Sequence, residues 1–271
     1  MPELPEVEIT RRGIEPAILN RRLTGVVVRN ASLRWPIPRR LPALVTGKVI
    51  RSVRRRGKYL LLDVEGGTMI LHLGMSGSLR IVQSDEPAGV HDHVDLQFGD
   101  KALRLRDPRR FGALLWHSGP DVLSHDLLAH LGVEPLGGEF NGKVLHAASR
   151  GRRAAVKLLI MDHTVVVGVG NIYANESLFR AGIRPGIAAG RISLPRYERL
   201  AKEIRSTLQD ALKAGGSSLR DFIHSDGSSG YFQQQYFVYG RDGESCRICK
   251  GPIRLGRMGQ RSTFHCPHCQ H

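Results

Sequence analysis

The chain holds no run of about 18 consecutive apolar residues, which excludes a membrane-spanning helix. Its start lacks a basic stretch followed by an apolar one, so no export signal is read and a cytoplasmic location is expected. Cysteine is absent from the first 245 residues, and all four cysteines fall within the last 26. A secreted disulfide protein spreads its cysteines along the chain, so this clustering points to metal binding in a reducing compartment. Acidic residues are also scarce: 25 Asp and Glu face 40 Lys and Arg, a formal charge of +15 and a pI near 10.3. That imbalance implies a polyanionic partner, nucleic acid before an anionic membrane surface. There is no internal repeat and no low-complexity tract. No Ser/His/Asp arrangement and no HExxH motif appear, and no GxGxxG follows a strand, so a dinucleotide-binding fold is not expected.

What is present begins at the first residues. Met1 is followed by Pro2 and Glu3. Removal of the initiator methionine, usual before a small residue, leaves Pro2 with a free secondary amine. An α-amine has a pKa of about 7.7–8, so roughly a tenth or more of it is nucleophilic near pH 7. Attack on an aldehyde-like carbon gives a permanently charged iminium, an electron sink for elimination. Glu3 lies beside it as a proton donor or acceptor. Many chains begin Met-Pro without such a role, so the remaining residues have to decide.

The 271 residues suffice for two domains with cores. Pro5 suits a first helical position, and Glu6–Leu19 reads as a helix broken or ended near Pro16. From Leu23 to Trp116 the period is that of strands: Thr24–Val28, Lys58–Val64, Thr68–Leu73, Ser78–Val82, His93–Phe98, Ala102–Arg106 and Gly112–Trp116. Glu65-Gly66-Gly67 and Gly99-Asp100 are hairpin signals. This spacing suggests an antiparallel sandwich or barrel. After residue 120 the pattern turns helical, over Asp121–Leu131, Lys143–Met161, Ile172–Ala181 and Pro195–Ala214. Glu134-Pro135-Leu136-Gly137-Gly138 is the natural linker between the halves. A glycine-rich stretch, Gly215–Gly230, leads to a β-rich tail. The expected domains are 1–134, 135–236 and 237–271.

The strongest chemical signal is Cys246-x-x-Cys249 followed, after 16 intervening residues, by Cys266-x-x-Cys269. Two such pairs make a closed tetrahedral site, and one structural Zn²⁺ is expected there. The hairpin it closes carries Arg254, Arg257, Gln260 and Arg261, which serve either to read a nucleic-acid backbone or as a solvated basic tail. Gly168-Val169-Gly170-Asn171-Ile172 resembles a phosphate-binding turn at a helix start. Lys58 follows Arg54-Arg55-Arg56-Gly57, a basic edge. Met75 sits on a glycine-flanked loop, or else in a core. Asp107-Pro108-Arg109-Arg110-Phe111-Gly112 places an aromatic beside guanidinium groups, as a duplex wedge or as a buried Phe beside an ion pair.

Together these residues resemble the bacterial formamidopyrimidine-DNA glycosylase family. The motifs are Met1-Pro2-Glu3-Leu4-Pro5-Glu6-Val7-Glu8, Gly170-Asn171-Ile172-Tyr173-Ala174 and Gln260-Arg261-Ser262-Thr263-Phe264, and the match spans essentially the whole chain. The resemblance implies an α+β multidomain fold. An N-terminal helix and antiparallel β-sandwich precede a helix–two-turn–helix module and a four-cysteine zinc-finger hairpin, with DNA bound between the halves. It implies a bifunctional glycosylase and AP lyase that removes oxidised purines and cuts the strand by β,δ-elimination. Pro2 would be the nucleophile and Glu3 the acid/base, and Lys58, Asn171 and Arg261 would hold phosphates. Met75, Arg109 and Phe111 would fill the gap left by the flipped base, and His93 and Lys157 would join the DNA contacts. The stretch 215–232, with Ser217, Ser218, Arg220 and Tyr231, resembles the loop that closes on 8-oxoguanine. The implied partner is double-stranded DNA with an oxidised base, bound by a monomer. His163, Asn175 and Arg184 depart from the family pattern. The rival readings are an endonuclease VIII-type enzyme for oxidised pyrimidines and a non-catalytic binder of damaged DNA.

Overall fold

A computed structural model describes residues 2–216 and 236–271. The described residues form two compact units, one of residues 2–129 and 214–216, the other of residues 130–213 and 236–271.

The first unit opens with helix α1, Leu4–Ile18. Pro5 stands in its first turn, where a missing N–H costs nothing. Glu3 is the N-cap and forms a capping box with Glu6. The expected break at Pro16 does not occur: Pro16 lies inside the helix. It is exposed and the helix ends two residues later, so the carbonyl it leaves unpaired faces water. Leu4, Val7, Ile14 and Ile18 form the buried stripe. Glu8 bonds both Arg11 and Arg12 on its own helix and Arg55 on the adjoining strand, at 3.0, 2.9 and 3.2 Å. Burial alone would raise the Glu8 pKa, but these three guanidinium groups hold it below the usual value.

Eight strands follow. They are β1 (Gly25–Val28), β2 (Ser52–Arg56), β3 (Tyr59–Val64), β4 (Gly67–His72), β5 (Ser78–Gln83), β6 (Asp92–Phe98), β7 (Lys101–Arg106) and β8 (Ala113–Ser118). A short helix α2, Leu41–Val45, interrupts them after β1. Two antiparallel sheets result, in the orders β1-β6-β7-β5 and β2-β3-β4-β8. Leu60, Leu62 and Leu71 from one sheet meet Val94, Leu96, Leu103 and Leu105 from the other in one core, with α1 packed on it. The expected sandwich is present. Strand β2 was not expected, because Ser52-Val53-Arg54-Arg55-Arg56 offers a single apolar side chain to the core. As an edge strand it needs no more. On the other sheet Arg104 is fully buried, its guanidinium bidentate on Asp95 at 2.9 Å and bonded to the carbonyls of Glu86 and Pro87. A short turn of helix, α3 (Asp126–Ala129), ends the unit's first stretch.

The second unit contains α4 (Gly142–Ser149), α5 (Val156–Met161), α6 (Asn171–Arg180) and α7 (Leu194–Lys213). The segment expected as one helix over Lys143–Met161 is two. Gly151 takes a left-handed φ of +72°, and Ala155 is extended and bridges to Ala188, which ends the first helix and restarts the chain as the second. A side chain at Gly142 would strike Glu198 Cα at 2.4 Å, so the start of α4 lies flat on α7. Arg205 of α7 donates to the carbonyls of Pro135, Gly137 and Phe140, fixing the Pro-Gly-Gly stretch to the helix. The hairpin β9 (Arg254–Met258) and β10 (Arg261–His265) turns at Gly259 and Gln260. Both turn residues have positive φ, +51° and +60°, as a two-residue turn of the I′ type requires. Among the described residues no helix is long and apolar enough to cross a membrane.

Candidate nucleic-acid interface and metal cluster

Chemistry in the first unit gathers around the start of α1. Pro2 is buried and Glu3 is 2 % exposed. The Glu3 N–H donates to Glu6 Oε2 at 2.8 Å, and Glu6 is itself fully buried. The helix start therefore fixes the backbone on which Pro2 and Glu3 sit. Gly216 has a positive φ of +79°, and a side chain there would come within 3.0 Å of Ile9 and 3.5 Å of Glu6. The chain thus enters the 217–235 stretch from beside this helix start. Ser217, Ser218, Arg220 and Tyr231 themselves lie outside the described residues, as does Met1.

Lys58 occupies the two-residue turn Gly57-Lys58 between β2 and β3, where Gly57 supplies a φ of +57°. Tyr59 of β3 pairs in register with His72 of β4, their rings 4.8 Å apart. His72 Nδ1 accepts the Gly74 N–H at 3.1 Å, which leaves the ring proton on Nε2. Burial, with the charges of Lys58 and Arg34 close by, pushes the His72 pKa down to about 4. The imidazole is neutral at physiological pH and still carries an N–H donor. This donor and Arg34 were missed in the sequence. His72 sits in an apolar strand, and Arg34 lies in a loop without local pattern.

Two loops carry the candidate wedge. Met75 is half-buried in the turn before β5, and Arg109 and Phe111 lie in the turn before β8. Phe111 is 41 % exposed, with the Arg109 guanidinium 4.8 Å from its ring centre, a cation–π pair on the surface. Beneath them Asp107 is fully buried. Its Oδ1 accepts from Ser76 Oγ at 2.8 Å and its Oδ2 from the Gly112 N–H at 2.7 Å. Ser76 Oγ in turn accepts the Arg109 N–H at 3.1 Å. The loops touch at Gly74, φ +64°, where any side chain would meet the Phe111 backbone at 2.4 Å. His93 is 4 % exposed, its Nε2 within 2.8 Å of the Asp107 carbonyl, so it lies below the candidate wedge loop.

The second unit holds the remaining candidates. Gly168, φ +82°, and the N-cap Gly170 lead into α6, whose first residue is Asn171. Arg254, Arg257, Gln260 and Arg261 are exposed on the hairpin. Lys157 is fully buried in α5, and its ammonium donates to Ser262 O and Thr263 Oγ1, both at 2.8 Å. That charge is used on the chain's own strand β10, next to Arg261. Glu176, 1 % exposed, accepts the backbone N–H groups of Phe237, Val238 and Tyr239 at 2.8, 3.0 and 2.8 Å. Burial raises its pKa despite these donors. Nothing local marks Glu176 in the sequence, since its partners are 61 or more residues away.

The metal candidates come together. The four Sγ atoms of Cys246, Cys249, Cys266 and Cys269 lie within 4.8 Å of one another. Cys246 and Cys269 are 3.8 Å apart and Cys249 and Cys266 3.4 Å, so none is in a disulfide. A tetrahedral ion with sulfur at about 2.3 Å needs S···S of about 3.8 Å. The donor set therefore fits a metal ion. Burial and the neighbouring thiols push the Cys269 pKa up, so four thiolates at this spacing need a cation among them.

Comparison with known proteins bears out the resemblance read from the motifs. The profile of the formamidopyrimidine-DNA glycosylase N-terminal domain matches residues 1–114, and that of the formamidopyrimidine-DNA glycosylase H2TH domain matches residues 131–223. The chain is 61 % identical to the formamidopyrimidine-DNA glycosylase of Aromatoleum aromaticum, covering 100 % of this chain and 99 % of that one. The identity is 57 % to the Burkholderia thailandensis protein of the same name, over 100 % of both. Its fold is similar to a crystal structure of MutM (Fpg) from Thermus thermophilus, with TM-score 0.89, 37 % identity, and 99 % and 98 % of the two chains covered. A Lactococcus lactis Fpg variant in complex with DNA containing Fapy-dG gives TM-score 0.93 at 34 % identity, over 99 % of both chains.

Proposed function

The chain belongs to the formamidopyrimidine-DNA glycosylase family, and on that premise we propose that it excises oxidised purines, 8-oxoguanine and formamidopyrimidines, from duplex DNA and then cuts the strand. The observation that carries the reading is the buried Pro2–Glu3 pair on a capped helix start, its backbone held by Glu6. With Met1 removed, the neutral Pro2 amine attacks C1′ of the damaged nucleotide. The C1′–base bond breaks, and its electron pair leaves with the base, which takes up a proton. The amine loses its proton, and opening of the sugar gives a C1′ iminium. Glu3 moves protons at the sugar. The iminium acidifies C2′. Loss of that proton expels the 3′ phosphate, and a second elimination expels the 5′ phosphate.

The rest of the chain binds and orients. Lys58, Asn171 and Arg261 donate to phosphates, with His72 Nε2–H as a further neutral donor beside Lys58. Met75 and Phe111 fill the gap in the stack, and Arg109 faces the orphaned cytosine. His93 and Lys157 act through the loops and strand they support. Ser217, Ser218, Arg220 and Tyr231 close on the flipped base. One Zn²⁺ in the four-cysteine cluster holds the finger, a closed site with no open position for chemistry. In this reading residues 1–134 are the catalytic domain, 135–236 the helix–two-turn–helix domain and 237–271 the finger. The enzyme acts as a cytoplasmic monomer.

The test is borohydride trapping on a duplex with one 8-oxoguanine opposite cytosine, with Pro2→Gly as control. A covalent adduct mapped to residue 2 is the expected result. Tight binding without an adduct overturns the lyase reading, and an adduct on oxidised pyrimidines alone reassigns the substrate.

A further inference from the structure

Helix α1 and strand β2 join the candidate site at one end of the sandwich and meet again at the other. Pro2 stands before the start of α1, and Lys58 just past the end of β2. At the far ends the Asn20 N–H donates to the Ile50 carbonyl at 2.9 Å, and the Ile50 N–H to the Arg21 carbonyl at 3.0 Å. The Leu23 N–H donates to the Lys48 carbonyl at 2.8 Å, and Arg22 bridges to Val49. This pairing gathers Arg21, Arg22, Lys48 and Arg51, of which the three arginines are exposed. Arg22 donates to the Gly47 carbonyl, and among the described residues none of the four stands in an ion pair. The neighbouring acids are taken by other arginines, Glu15 by Arg11 at 2.7 Å and Asp63 by Arg54 at 2.6 Å. Glu65, in the turn between β3 and β4, is the other acid on this side of Arg51, whose N–H donates to the Asp63 carbonyl at 2.8 Å.

The distance from the candidate site follows from two separate elements. At 1.5 Å per residue the 15 residues of α1 span about 22 Å. Six strand steps of about 3.4 Å put Arg51 roughly 20 Å from Gly57. The sheet register agrees: Arg56, Tyr59, His72 and Ala113 share the end of the candidate site, and Ser52, Asp63, Thr68 and His117 the opposite one. The four cations therefore serve nothing in that site. We propose that this far end of the sandwich is a second contact surface for duplex DNA, holding a separate segment while the first lies at Pro2. The inference rests on the reading of the Pro2 end as the place of the damaged nucleotide. A duplex carries one charge per about 1.7 Å of axis, so the four cations face several phosphates at once and read no sequence. A protein with two such surfaces passes from one segment to the next without leaving both.

The test compares the wild type with a variant carrying Arg21→Gln, Arg22→Gln, Lys48→Gln and Arg51→Gln. A control with Arg21→Lys, Arg22→Lys and Arg51→Lys keeps the charge. Each protein is saturated with a short unlabelled duplex holding a stable abasic analogue, and a labelled undamaged duplex is titrated in across a salt series. The wild type and the lysine control are expected to bind the labelled duplex. The glutamine variant is expected to bind it about tenfold more weakly, with a salt slope smaller by about 0.9 for each phosphate contact removed. Its thermal unfolding should match the wild type. So should its affinity for the abasic duplex at 0.1 M salt, where the Debye length of about 10 Å screens charges roughly 20 Å away. If the labelled duplex does not bind the saturated wild type, or binds the glutamine variant equally well, the inference is overturned. Phosphatidylserine vesicles that bind the wild type and not the variant, while the labelled duplex ignores the substitutions, assign the surface to a membrane instead. An abasic duplex bound no more tightly than undamaged DNA would sink the reading of the Pro2 site. The number of duplexes held per chain in the two proteins would still decide the second surface.

Discussion

Asp107→Ala separates the candidate wedge loops from their support, and the cost follows from the bonds it removes. The carboxylate is fully buried and accepts from Ser76 Oγ and the Gly112 N–H at 2.8 and 2.7 Å. Each hydrogen bond to a charged group is worth about 1.5–3 kcal/mol, and both donors lose their partner. Removing a buried charge returns part of this, so the expected loss is about 2–4 kcal/mol. Asp107→Asn keeps the shape. Its oxygen still accepts from Gly112, its NH₂ donates to Ser76 Oγ, and about 1 kcal/mol is lost with the charge. The two variants should therefore differ by about 2 kcal/mol, near thirtyfold in the folding equilibrium.

Both tryptophans, Trp35 and Trp116, lie in the first unit, so their fluorescence during urea unfolding reports that unit alone. The functional readout is single-turnover excision of 8-oxoguanine opposite cytosine and opposite adenine. Arg109, proposed above to face the orphaned cytosine, is tied to Asp107 through Ser76 and sits over Phe111, so slackening this link should narrow the difference between the two pairings more in Ala than in Asn. An alanine variant as stable as the asparagine one, with its preference for cytosine intact, would refute the claim that this carboxylate sets the wedge.

Two further outcomes follow from the same geometry. Arg261→Ala should weaken duplex binding and lower the salt slope by about 0.9, the share of one phosphate. Arg261 is exposed beside a turn with two positive φ values, and an unchanged slope would remove it from the phosphate contacts. His72 should stay neutral well below its ordinary pKa, visible as an imidazole that does not titrate between pH 7 and 5 by NMR. Between about 4 and 6.5 the unfolded chain takes up a proton that the folded one refuses, so stability is full above pH 6.5 and falls as pH drops toward 4. His72→Gln should flatten that part of the profile, and a slope unchanged by the substitution would assign it to another group.

The features legible in the sequence share one property: their signal is local. Pro5 at a helix start, period-two strands, glycine hairpins and paired cysteines each announce themselves within a few residues. What was missed or misjudged depends on partners far along the chain. The triple-arginine edge strand β2 has no strand pattern of its own; its pairing with Leu60, Leu61 and Leu62 makes it a strand. Lys157 is expected among the DNA contacts by resemblance, and nothing in Val156-Lys157-Leu158-Leu159 announces the acceptors that its ammonium has 105 and 106 residues away. Asp107 meets Ser76 across 31 residues, and Asn175 meets Phe264 across 89. Most of these distant partners are backbone groups, which carry no side-chain signature to match. The residues expected to touch DNA are marked by type and motif, whereas the groups bonded beneath them are buried polar residues whose satisfaction is the cost of burial. A buried polar side chain that bonds the backbone beside an exposed candidate is therefore the next place to look for control of that candidate. Asp107 under Arg109 and Lys157 beside Arg261 answer to that description in separate units of this chain.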